Sequence, residues 1–246
     1  AQVNAIYNGG VPAALADSPV GWWKFHEDDV ALGGDITDYG SGENDGTLEN
    51  GAALSRSVPA EDAKWNNRSL LFSGSTDYVN IGPSNSIVTG TNVSFSLWFK
   101  SDGGTTSEYL IQHCRGAFST NLTLAVNLTT AGNISALSFN GSSHDYLHYA
   151  GSANDGNWHH VAYTTTASAQ ELYFDGVSVG SWTGTFANDG TDDPMVIGYS
   201  SGADFDGNID EVAIWNSVLT PAQVLQIYNG GKPADLKEHS PDSWYR

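Results

Sequence analysis

From Ser142 to Ala150 the chain reads SSHDYLHYA. In an extended segment alternate residues share a face, so His144, Tyr146 and His148 line up as two imidazoles and a phenol. Such a face stacks a sugar ring and bonds its hydroxyls. A solvated outer face has the same pattern. His159 and His160 are neighbours, so in a strand they point opposite ways and do not readily chelate one ion. The loop from Asp38 to Gly51 is rich in oxygen donors: Asp38, Glu43, Asn44 and Asp45 suit a hard cation, although their spacing does not follow the EF-hand. Turn chemistry, in which Asn and Asp bond nearby backbone, accounts for the same residues. Asp210, in GNIDEVAIW, sits at the entry to an apolar strand, where a carboxylate needs a partner. Arg115 is one of few cations. Trp65 and Trp182 lie near loops and are candidate exposed platforms.

The 246 residues are enough for one large all-β domain. Nine Lys and Arg stand against 28 Asp and Glu, a net charge of -19. That excludes the clustered basic residues that phosphate binding needs, and so nucleic acid as a partner. It suits a protein with sites for hard cations such as calcium. No apolar run is long enough to span a bilayer as a helix, so no membrane insertion is expected. A single cysteine rules out an internal disulfide.

The elements that position these residues are mostly strands. VSFSLWFK alternates, with Val93, Phe95, Leu97 and Phe99 on one face. NWHHVAYTTT, QELYFDGVSVGSW and NIDEVAIW have the same character. Asp175-Gly176 marks a hairpin, because both residues tolerate the positive φ of a type I′ turn. Ile209, Val212 and Ile214 break simple alternation, which places the start of the last strand near Asp210. One helix is well signalled. In LTPAQVLQIYNGG, Thr220 is the N-cap, Pro221 the first helical residue and Gln223 the partner in a capping box. Val224, Leu225, Ile227 and Tyr228 form its apolar face, and Gly230-Gly231 ends it. Many short strands between turn signals predict an antiparallel two-sheet sandwich or jelly roll with one short C-terminal helix.

Six segments carry a resemblance. GTLENGA, LLFSGSTDYVNIG, FSLWFK, NWHHVAYT, LYFDGVSVG and GNIDEVAIWNSVLTPAQVLQIYN occur in that order. Together they resemble laminin-G-like modules of the concanavalin A-like lectin/glucanase superfamily, over roughly Trp22 to Gly231. The resemblance implies a curved jelly roll of two antiparallel sheets. It also implies a structural calcium, with Asp210 as side-chain ligand and backbone carbonyls from the first strand, near Phe25 and His26, and from Gly74 in the FSG turn. Similar modules often carry an acid where His26 stands, so only its carbonyl is carried over. Glucanases of this superfamily use paired carboxylates of the Glu-x-Asp-x-x-Glu kind, and retaining hydrolysis needs such a pair. The sequence has no such motif, no Ser-His-Asp grouping and no phosphate loop. The expectation is a non-catalytic module for a glycan or another surface ligand. A spacer repeat is the alternative, and a divergent glycosidase the remote one.

The chain also resembles itself. AQVNAIYNGGVPAAL at Ala1–Leu15 matches AQVLQIYNGGKPADL at Ala222–Leu236, and fixed-period similarity signals tandem repeats. The expected organisation is therefore residues 1–21 as the end of a preceding repeat, including a helix over the first ten, then one jelly roll over 22–231. Residues 232–246 would be a linker and the start of the next copy. Neighbouring repeats are then partners, and the setting is extracellular: a cell surface or a virion.

Overall fold

The computed structural model describes residues 19–25, 34–59, 68–83, 87–104, 106–114, 122–184, 186–188, 194–199, 202–234 and 236. They form two antiparallel eight-stranded sheets. The first runs, edge to edge, β14 (Val177–Trp182), β13 (Gln170–Phe174), β12 (His159–Thr165), β7 (Val93–Ser101), β16 (Asp206–Trp215), β5 (Ser69–Ser73) and β4 (Ala53–Ser55). Its eighth strand, β1 (Gly21–Trp23), also pairs with β16. The second runs β11 (His144–Tyr149), β10 (Ile134–Phe139), β9 (Leu122–Leu128), β8 (Glu108–Cys114), β15 (Pro194–Ile197), β6 (Tyr78–Pro83), β3 (Gly46–Glu49) and β2 (Asp35–Ile36). One helix, α1 (Pro221–Tyr228), follows the last strand.

The core between the sheets follows the predicted alternation. Val93, Phe95, Leu97 and Phe99 face inward, as do Val161, Tyr163 and Leu172 from the first sheet and Leu124, Val126, Ile134 and Ala136 from the second. The other face of the first sheet is also covered. Val224 and Ile227 of α1 pack there on Trp22, Ala162, Tyr173, Ala213 and Trp215. The capping box forms as expected, with the Thr220 side chain accepting from the Gln223 amide. Asn229 closes the helix in the left-handed conformation, φ 47°. Leu225, assigned to the apolar face by spacing, is instead 37% exposed. The hairpin turn has φ 48° at Asp175 and 77° at Gly176.

Broken alternation around Asp210 marks a bulge, not a strand start. Strand β16 begins four residues earlier, at Asp206. Its pairing with β7 shifts between Asp210 and Ala213, and Glu211 takes φ 49°. The bulge lies where the other edge of β16 changes partner, from β5 at Asp206–Ile209 to β1 at Val212–Ile214. A bulge increases local twist, which a strand needs to leave one neighbour and meet another.

Candidate functional site

The outer face of β11 carries the aromatic set. His144, Tyr146 and His148 pair with Phe139, Leu137 and Ser135 of β10, whereas Leu147 between them enters the core. Tyr146 is 52% exposed. Its ring lies parallel to that of His148, 6° between planes and 5.8 Å between centroids. His144 tilts between Phe139 and Tyr146, and its Nε2 is 2.8 Å from the Leu122 carbonyl. The backbone contact fixes His144, leaving Tyr146 and His148 as a solvent-facing pair. Such a pair offers exposed aromatic faces and edges beside a phenolic hydroxyl and imidazole nitrogens. Because β11 is an edge strand of its sheet, a bulky ligand reaches the pair without crossing a neighbouring strand.

The residues implied for calcium are only partly brought together. Asp210 is fully buried, and its Oδ1 accepts from the Glu211 amide at 2.9 Å. Glu211, also buried, accepts from Trp22 Nε1 at 2.6 Å. The register that pairs Trp23 with Val212 leads Phe25 toward Asp210, and Phe25 turns there with φ 59°. Gly74 must be removed from this set. Its amide bonds the Phe205 carbonyl at 3.1 Å, at the opposite end of the β16 pairing with β5 from Asp210. His26, Arg115 and Trp65, like the helix expected over residues 1–10, lie outside the described residues.

In the second oxygen-rich loop, Asp38 serves the backbone. Its Oδ1 accepts from Trp22 and Gly40, each at 2.7 Å, and its Oδ2 from Asn44 at 2.8 Å. Asp45 in turn accepts from the Asp38 amide at 3.0 Å. Burial pushes the Asp38 carboxyl up, against the three N–H donors that pull it down. Among the described residues no group of three or more His, Cys, Asp or Glu side chains is arranged to hold a metal ion.

The two adjacent histidines do face opposite ways. His159 stacks on Phe174, and its ring nitrogens meet Asp175 at 2.9 Å and Asp155 at 3.1 Å. Burial opposes its charge, but the two carboxylates hold its pKa above the ordinary value. His160 lies beneath α1, beside Trp98 and Tyr228, with Nε2 2.8 Å from Ser96 Oγ. Sequence reading missed this pair, because 64 residues separate its members. A serine bonded to a histidine is the start of a nucleophile–base pair. Here both residues are buried and no carboxylate bonds His160 Nδ1. Burial lowers the imidazole to about 4, so it is a neutral core contact. Trp158 is half-buried, with Nε1 3.3 Å from Ser57 Oγ. Trp182 is 47% exposed, as expected of a platform.

The sequence model for a laminin-G family of the Concanavalin A-like lectin/glucanases superfamily matches residues 73–225. The chain belongs to that superfamily. The two antiparallel sheets are consistent with the jelly roll of that superfamily. No curated protein is significantly similar in sequence. Among solved structures, the chain is similar to domain 4 of AbnA, a GH43 extracellular arabinanase from Geobacillus stearothermophilus, in complex with arabinotriose. The TM-score is 0.64 and the identity 20%, over 86% of this chain and 99% of that one. It is also similar to the receptor binding domain of the botulinum neurotoxin C/D mosaic serotype (TM-score 0.67, identity 16%, 88% of this chain and 52% of that one). A third similar structure is the botulinum neurotoxin serotype D ligand binding domain in complex with N-acetylneuraminic acid. There the TM-score is 0.65 and the identity 16%, over 87% of this chain and 51% of that one. The chain spans about half the length of these toxin domains.

Proposed function

We propose that this domain is a non-catalytic binding module that recognises a glycan, or another surface ligand, through the outer face of β11. The observation that carries this is the exposed, parallel Tyr146–His148 pair. A parallel ring pair held on a rigid strand gives a stacking surface with little ordering cost. The arabinanase domain solved with arabinotriose and the toxin domain solved with N-acetylneuraminic acid have similar folds, which supports a sugar-binding role. The self-similarity of Ala1–Leu15 and Ala222–Leu236 supports a tandem array with neighbouring repeats as partners; a cell surface or virion is the setting we propose for it. A glycan array probed with the purified domain is expected to give specific, competable signals. Signals no stronger than those of an unrelated acidic protein would favour a spacer repeat. Sustained hydrolysis of laminarin or a related glucan by the wild-type domain would overturn the non-catalytic reading.

Calcium belongs to the same proposal. Two adjacent carboxylates, Asp210 and Glu211, are buried in one bulge, and calcium takes carboxylate together with backbone carbonyl oxygens. Asp210 would anchor the ion, with a carbonyl of the first strand near Phe25 beside it. When bound, calcium ties β1 to β16 at the point where β5 departs. An ion that binds only the folded state raises its stability by mass action. Millimolar-range calcium (roughly the weak, extracellular class of site) is expected to raise the melting temperature over that in chelator. Asp210→Ala should abolish the shift. Identical melting of wild-type protein in both buffers would rule the site out.

A further inference from the structure

The free edges of the two sheets, β11 and β14, lie on one side of the sandwich, and a second set of groups meets in the seam between them. Trp182 of β14 is 47% exposed. Asp145 of β11, half-buried, pairs across β10 with Ser138 and so points to the opposite side from Tyr146. The two meet at Gly184. A Cβ built there would lie 2.1 Å from Trp182 Nε1 and 3.1 Å from Asp145 Oδ2. The other oxygen, Asp145 Oδ1, accepts from Asn140 Nδ2 at 3.2 Å. Directly inboard of Trp182, and paired with it across β13 and β14, is Gln170. Gln170 is only 3% exposed. Its Oε1 accepts from the Tyr163 hydroxyl at 2.7 Å, whereas its Nε2 has no hydrogen-bond partner. Ser138, inboard of Asp145, sits by the same Tyr163 hydroxyl.

A buried amide donor left unmade costs about 1–3 kcal/mol, so native structures keep one mostly where something else completes it. The donor's residue pairs with a half-exposed indole, and a carboxylate that accepts approaches that indole at Gly184. The chemistry of these groups is selective. Gln170 Nε2 demands an acceptor, which an ammonium group lacks. Asp145 demands a donor and repels an anion, as does the net charge of -19. A sugar hydroxyl is both donor and acceptor, and a sugar's C–H face packs on an indole. We propose that the β11–β14 seam is a second ligand site, which takes one neutral sugar unit against Trp182, Asp145 and Gln170. It rests on the glycan-binding reading and extends it: the ligand is neutral, and it engages both sides of edge strand β11.

The test is amide and indole NMR on the labelled domain. The probes are the methyl glycosides of galactose, mannose and arabinose, and of N-acetylneuraminic acid. At least one neutral glycoside is expected to shift the Trp182 indole and Gly184 amide resonances saturably, and the anionic one is not. Asp145→Asn and Gln170→Met should each weaken that binding at least about tenfold, the loss of one hydrogen bond to ligand. Val218→Ala, exposed between β16 and α1 and outside both faces of β11, should leave it unchanged, and unchanged melting of each variant shows that the fold is intact. No shift at Trp182 with any neutral glycoside overturns the seam site, as does equal binding by wild type and both seam variants. If Tyr146→Ala removes glycan-array signals while Trp182 stays silent, the seam fails and the outer-face reading stands. The reverse pattern removes the outer face and keeps the seam.

Discussion

Asp38→Ala is expected to lower stability by about 3 kcal/mol. The Asp38 carboxylate accepts three backbone N–H bonds, from Trp22, Gly40 and Asn44. Charge-assisted bonds of this kind contribute roughly 1.5–3 kcal/mol each. Two of the donors lie in a half-buried loop that water reaches after truncation, and desolvation of the carboxylate already offsets part of the gain. The Trp22 amide is the costly one, because Trp22 is buried at the start of β1. For a domain of this size the loss corresponds to a fall in melting temperature of roughly 6–12 °C. Thermal melts in chelator check it. A melting temperature within about 2 °C of wild type would show that the loop does not depend on this carboxylate. A calcium-induced rise in the wild-type melting temperature that Asp38→Asn loses would point instead to a cation held by Asp38, Asn44 and Asp45.

Glu108→Gln is expected to stabilise the domain above neutral pH. Glu108 is 3% exposed, and burial pushes its carboxyl up to about 7, with Asp206 and Asp102 adding repulsion. The Ser101 hydroxyl, at 3.1 Å, and the Gly104 amide pull the other way without prevailing. Because the folded-state pKa lies above the unfolded one, the folded protein holds this proton more tightly. No penalty exists below about pH 4.5, where both states are protonated. As pH rises from there toward 7 the unfolded chain ionises and the folded one does not, so stability falls. Above about 7 the loss is complete, on the order of 3 kcal/mol. Other carboxylates titrate in part of the same window, so the quantity to read is the difference between variant and wild type. Denaturant unfolding at pH 4.5 and pH 8 should show Glu108→Gln gaining on wild type between the two. A difference that does not change with pH would contradict it.

Local chemistry carried most of the fold into the sequence. The capping box around Thr220 and Gln223, the Asp175-Gly176 turn and the alternation of Val93 to Phe99 each depend on neighbours in the chain, and each appears where expected. What could not be read depends on register. The broken alternation around Asp210 is the bulge's only local trace, and it does not tell a bulge from a strand start, because a glutamate gives no hint of a left-handed φ. The bulge exists because β16 changes partner at that point. The resemblance alone put Gly74 beside Asp210, whereas the β5–β16 pairing sets them at opposite ends. Ser96 met His160, and Trp182 met Asp145, only through strands distant in sequence. The face of β11 was legible because it needs only the alternation of one strand. Its exposure was not, because that depends on β11 lying at the sheet edge.

The central claim is that a ligand binds on β11, and one comparison addresses it directly. Wild-type domain and a Tyr146→Ala/His148→Ala double variant are applied to the same glycan array at equal concentration. Both side chains are exposed on an edge strand, so the variant should melt close to wild type. Loss of the wild-type glycan signals, with melting preserved, is the predicted result. Undiminished signals from the double variant would contradict the account.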